Sequence, residues 1–184
     1  YYYEEDNWID DMELAAASIY EITRKIQFKK DAISYAEKEK ISPWIGKDTI
    51  RHYQYYPFVN SGHYQGAKLF DMESKNKISG YYGEGLEILF KKGKDNPFLF
   101  GIPFIWCSNN YVASTITQSK FYYELTGDDK YQEMEAALRD WLFGCNIWGK
   151  SMIVDLPYNN KSSQKPHSSL NILYGFQTSG GLVD

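Results

Sequence analysis

Apolar residues in this chain recur at three- and four-residue steps far more often than at two, the period of a helix rather than a strand. Trp8, Met12, Ala15, Ile19 and Ile22 form one such stripe. Asp6 or Asn7 can cap the helix it marks, and Asp10 and Asp11 fall in the first turn, where the helix dipole favours negative charge. A second helix is predicted over Lys29 to Lys40. Pro43, Trp44 and Gly46 close it and open a loop carrying Tyr53, Tyr55 and Tyr56. Pro57 suits the first turn of a third helix, running to about Phe70. A fourth spans about Lys77 to Lys91, weakened by Gly80, Gly83 and Gly85. Beyond a loop from Asn96 to Pro103, a fifth and a sixth follow over Ser108 to Thr126 and Asp128 to Phe143. Met152-Ile153-Val154 is the only strand candidate. These elements define an all-α chain.

The pattern repeats. Tyr20-Glu-Ile-Thr-Arg-Lys-Ile-Gln-Phe28 matches Tyr123-Glu-Leu-Thr-Gly-Asp-Asp-Lys-Tyr131 at an offset of 103 residues. Each has the form of a helix end, a polar turn and an aromatic that packs back onto the pair. In the second copy Gly127 fits a left-handed C-cap and Asp128 the next N-cap. Repeated joints of this kind predict stacked helical hairpins, and six helices in three hairpins make half of a twelve-helix (α/α)6 barrel.

Composition narrows the class. With 184 residues the chain is long enough for one ordinary core. A net charge of -4 argues against a nucleic-acid partner, which calls for clustered Lys and Arg. No apolar run approaches a membrane span, and no signal peptide is visible. Aromatics reach 17%, including 17 Tyr, and their flat apolar faces with polar edges suit both helix packing and stacking on sugar rings. Cys107 and Cys145 fit no metal spacing and are expected to be buried free thiols. His52 and His63 also lack metal-ligand spacing, so no metal or cofactor is expected.

The densest candidate chemistry runs from Asp140 to Ser169. A helix ending in Trp141-Leu142-Phe143 is stopped by Gly144. Asn146, Trp148 and Gly149 then punctuate a turn, and a polar loop delivers His167 directly after Pro166. An aromatic, an amide and an imidazole on irregular backbone at a helix end is a common way to furnish a sugar site. A lone loop histidine is ordinarily solvated, however, and Trp148 suits plugging the hairpin bottom as well as stacking on a ring. Trp8, Trp44 and Trp106 occupy helix starts or loops, where barrel clefts lie, whereas Trp141 shares a helical stripe with Leu138 and Leu142 and belongs to the core. Asp10 and Asp11 read as dipole partners before cleft carboxylates, and Glu84 as a surface charge.

Four stretches resemble glycoside hydrolase family 9, the cellulase-type (α/α)6 enzymes. Trp8-Ile9-Asp10-Asp11 is similar to the family's Trp-x-Asp-Asp helix start. Ile105-Trp106-Cys107-Ser108-Asn109-Asn110 looks like its Asn-containing opening of an inner helix. Leu142-Phe143-Gly144-Cys145-Asn146-Ile147-Trp148-Gly149-Lys150-Ser151 matches its Leu-Gly-x-Asn-Pro-Trp-Gly-x-Ser run, and Pro166-His167 stands where the family has a substrate-facing histidine. The resemblance implies a single partial catalytic domain over residues 1–184. It implies hydrolysis of β-glycosidic bonds in a β-glucan by inversion, an auxiliary role for His167, and sugar contacts from Trp148, Trp106, Trp8 and Tyr56.

The family acts through two carboxyl groups about 6.5–9.5 Å apart. Its base lies in an Asp-Ala-Gly-Asp motif and its acid in a later Glu-bearing segment, and neither motif occurs in these residues. The fragment alone is therefore expected to be inactive, and its open half-barrel face to self-associate. A secreted or periplasmic location is also implied. Two features depart from the pattern: Ile147 replaces the usual proline, and Ser168-Ser169 stand where an arginine follows the histidine at two residues. These leave room for a substrate other than cellulose. A non-catalytic glycan-binding module and a helical-hairpin scaffold for protein partners are the competing readings.

Overall fold

A computed structural model describes residues 7–50, 59–157, 162 and 169–183. Seven helices appear among them: α1 Ile9–Thr23, α2 Ile26–Lys38, α3 Ser61–Leu69, α4 Met72–Gly93, α5 Ser108–Thr126, α6 Gln132–Leu142 and the short α7 Ser169–Tyr174. The fifth predicted helix has the observed bounds. The fourth is longer than expected, since Asp71 caps it through Ser74 N–H at 3.0 Å and its glycines do not interrupt it. The sixth begins later than predicted, because Asp128 turns the loop by accepting Lys130 N–H instead of capping a helix. Met152 to Val154 form no strand. Isolated bridges join Ser151 to Ser162 and Ile153 to Leu182.

Consecutive helices pair as three hairpins, and α1, α3 and α5 pack along one row, with α2 against α4 behind them. The two echoed joints have the same geometry. Arg24 (φ 55°) and Gly127 (φ 75°) each adopt the left-handed conformation and donate a backbone N–H to the carbonyl four residues back, Tyr20 and Tyr123, both at 2.8 Å.

The main core joins Trp44 and Ile45 to Leu86 and Leu89 of α4, Tyr111 and Val112 of α5, and Met134, Leu138 and Trp141 of α6. Burying each Leu of this set stabilises the fold by roughly 1.5–3 kcal/mol. The first hairpin is held differently. Ala16 and Ala17 meet Ala32, small side chains that let α1 and α2 approach closely but bury little area. Gly62 serves the same closeness at α3, where a Cβ would lie 2.8 Å from the Glu13 side chain.

The stripe on α1 points the other way from expectation. Trp8, Met12, Ala15, Ile19 and Ile22 are exposed, Ile22 at 83%, while Asp10, Glu13, Ala16 and Ala17 face inward. The inward side of α1 is matched to small and ionisable neighbours, so its large apolar residues are left on the outer side. Trp44 is likewise corrected. It is fully buried and tilted against Tyr111 with centroids 5.0 Å apart, so it belongs to the core and to no cleft. Cys107 is buried, but Cys145 is exposed.

Candidate functional site

Each hairpin turns back through a short joint, at 24–25, 70–71 and 127–131. The connections 39–60, 94–107 and 143–168 therefore leave from the opposite end, where α2, α4 and α6 finish and α1, α3 and α5 begin. This alternation gathers the predicted aromatics at one end. Trp8 precedes α1, Trp106 precedes α5 and Trp148 follows α6. They are 59%, 57% and 51% exposed, although tryptophan ordinarily buries most of its surface.

Trp148 and the segment before α5 share a cleft of about 150 Å³, walled by Phe104, Ile105, Trp148, Trp141 and Met152, with Ser108 and Asn109 supplying polar edges. Trp148 stands edge-on to Trp141, with centroids 5.5 Å apart and planes at 75°. Trp141 itself is buried, as its helical stripe predicts, and packs on Phe98 and Phe100. Trp148 thus rests against Trp141 with about half of its surface exposed. Phe104, 78% exposed, offers a second apolar face that the sequence did not single out. Trp8 packs edge-on to Tyr35 of α2 at 6.2 Å instead of entering this cleft. Tyr56 and His167 lie outside the described residues, as does His52.

A second group of side chains went unforeseen. Glu13 and His63 are both about 99% buried, with both carboxylate oxygens 2.8 Å from His63 Nδ1. His63 Nε2 lies 3.2 Å from the Lys40 carbonyl, which can only accept, so that nitrogen carries a proton. Glu39, at the end of α2, takes a hydrogen bond from Asn7 Nδ2. Asn60 bonds the Glu39 carbonyl at 3.0 Å and Ser42 Oγ donates to Asn60 Oδ1 at 3.2 Å. Asp10 completes the group, and its buried Oδ1 has no hydrogen-bond partner among the described residues.

Burial disfavours charge on all three acids. Desolvation, with Asp11 close by, raises Asp10 to about 6. Desolvation, against the Asn7 bond and with Asp10 near, raises Glu39 to about 7. Glu13 is also raised by burial, opposed by its bond to His63. Asp10 is thus more than a dipole partner. At 1–8% exposure these carboxyls are buried where α1, α2 and α3 meet. The sequence signal was Asp10 and Glu13 one turn apart on the face of α1 shared with Ala16 and Ala17. Their partner His63 is fifty residues from Glu13. Among the described residues no three His, Cys, Asp or Glu side chains are gathered to hold a metal ion, and no helix is long and apolar enough to cross a membrane.

Three helical hairpins with exposed aromatics at their long-loop end define the chain as part of an (α/α)6 glycosidase-type barrel. The chain belongs to glycosyl hydrolase family 9, which it matches over residues 1–175. Its fold is similar to that of a solved Bacteroides ovatus GH9 structure, with a TM-score of 0.66 at 16% identity, covering 96% of this chain and 32% of that one. The chain therefore spans about a third of the length of that neighbour. No curated protein matches it.

Proposed function

We propose that these residues form part of the catalytic domain of a longer glycoside hydrolase that cleaves β-linked glucans by single-step inversion. The cleft beside Trp148 carries this reading. Its half-open indole and apolar walls suit the apolar C–H face of a pyranose ring. Trp106, Trp8 and Tyr56 extend the sugar-binding surface, and His167 bonds a hydroxyl near the cleaved bond. The acid and base come from outside these residues. Cellulose is the leading substrate, with other β-glucans admitted by Ser168 and Ser169. Secretion or export to a periplasm follows from a polymeric substrate.

The test is turnover of cello-oligosaccharides by the full-length protein, with the product anomer followed by proton NMR. Inversion gives the α-anomer first, whereas an initial β-anomer would overturn the mechanism. His167→Ala should lower kcat/KM about a hundredfold, the scale of a lost hydrogen bond that strengthens in the transition state. An unchanged value would remove His167 from the site. Residues 1–184 alone should not hydrolyse the substrate, and activity there would return the carboxylates to this chain.

A further inference from the structure

Trp148 is presented by a turn that one side chain ties together. Gly144 (φ 106°) and Gly149 (φ 56°) bound this turn after α6, and Asn146 lies buried within it. Asn146 Nδ2 donates to the Trp141 carbonyl at 2.8 Å and to the Lys150 carbonyl at 2.7 Å. Its Oδ1 accepts the Trp148 N–H at 3.1 Å and the Lys150 N–H at 3.4 Å. Two donors and two lone pairs are the full capacity of a carboxamide, and all are used. The side chain thereby fixes the end of α6, the exit of the turn and the backbone of Trp148 to one another.

The ring is fixed from below. Trp141 Nε1–H donates to Asn109 Oδ1 at 3.3 Å, and Asn109 Nδ2 donates to the Val183 carbonyl at 2.8 Å. Trp141 is thus locked in rotation, and Trp148 rests edge-on against it. No other side chain substitutes at 146. Asp would set a negative oxygen against two carbonyls, Ser is too short to span the turn, and Gln carries an extra methylene in a buried site.

We infer that Asn146 is a positioning residue for sugar binding, holding Trp148 as a preformed platform over the cleft. The inference rests on the glycan reading above. A platform that is rigid before the ligand arrives loses less freedom on binding, so the contribution falls on affinity rather than on turnover.

The test uses the full-length protein and cellotetraose. Two indoles in edge contact give an exciton couplet in far-UV circular dichroism, and Trp148→Phe supplies the spectrum without it. Asn146→Ala should lose the couplet and raise KM about fivefold, the scale of one aromatic contact, with kcat nearly unchanged. Adding Asn146→Ala to Trp148→Ala should raise KM no further, because the two act as one unit. A raised KM in Trp148→Ala beside an unchanged KM in Asn146→Ala would overturn the positioning role alone. An unchanged KM in Trp148→Ala would sink the glycan reading of this cleft and the positioning role with it. Should Asn146→Ala fail to fold, Asn146→Asp decides. Protonation restores a donor, so its couplet should return on acidification, and a couplet indifferent to pH would count against the assignment.

Discussion

Glu39, Asp10 and Glu13 share one buried space with His63, and their proton uptake sets a pH dependence that can be worked out in sign. A carboxyl whose pKa is higher in the folded chain binds more protons folded than unfolded, so its contribution falls as pH rises. For Glu39 the window runs from 4.5 to about 7, and for Asp10 from 3.8 to about 6. Glu87 works in the opposite direction. Lys130, Tyr131 and Lys91 hold it down at about 2, so its contribution is lost on the acid side. The melting temperature should therefore fall between about pH 5 and about pH 7, inside the Glu39 window. Glu39→Gln should flatten the fall. A wild-type profile level across that window would refute the shared burial of these acids. At this scale the sequence was partly legible. The helical stripe placed Trp141 in the core, where it lies, but Glu13 and His63 could not be paired, because only packing brings α1 onto α3. Trp44 misled because a loop position can still be driven into a core.

Arg24 and Gly127 occupy equivalent left-handed caps in two joints of the same form. The strain of that conformation on a residue with a Cβ is about 1–2 kcal/mol, which makes the matched substitutions opposite in sign. Arg24→Gly should raise stability by about 1 kcal/mol and Gly127→Ala should lower it by a similar amount, both read from urea unfolding midpoints. Nothing lies within 4 Å of a Cβ built on Gly127, so the second effect isolates backbone strain from clash. Destabilisation by Arg24→Gly would show that the arginine side chain, which lies over the Tyr20 ring at 5.7 Å, contributes more than its strain. Gly127 was readable in advance because a left-handed cap is local chemistry, whereas Asp128 turns the loop instead of capping α6. The facing of α1 was not, since periodicity gives a stripe and leaves its direction to the neighbours. Small Ala16, Ala17 and Ala32 took the inner side.

The three hairpins leave the apolar side of α1 uncovered, with Ile22 at 83% exposure, and Ile26 at the start of α2 is 58% exposed. Across the whole chain this favours self-association through the open face when residues 1–184 are isolated. Sedimentation velocity should give a mass above the monomer at micromolar concentration. Ile19→Lys with Ile22→Lys should restore the monomer while leaving the melting temperature nearly unchanged, since both residues are exposed and outside the core. A wild-type monomer at all concentrations would dismiss this surface. The architecture itself was legible from two signals acting together, the helical period and the echoed joint, whereas the cleft depended on loops whose course no periodic pattern records.

The segregation of short turns from long connections also makes the chain polar as an object for handling. A fluorophore or a tether attached at the turn of Gly127 and Asp128 would sit at the end remote from Trp148. The protein could then be immobilised in one orientation on a surface, with the exposed tryptophans of the long-loop end facing the solution.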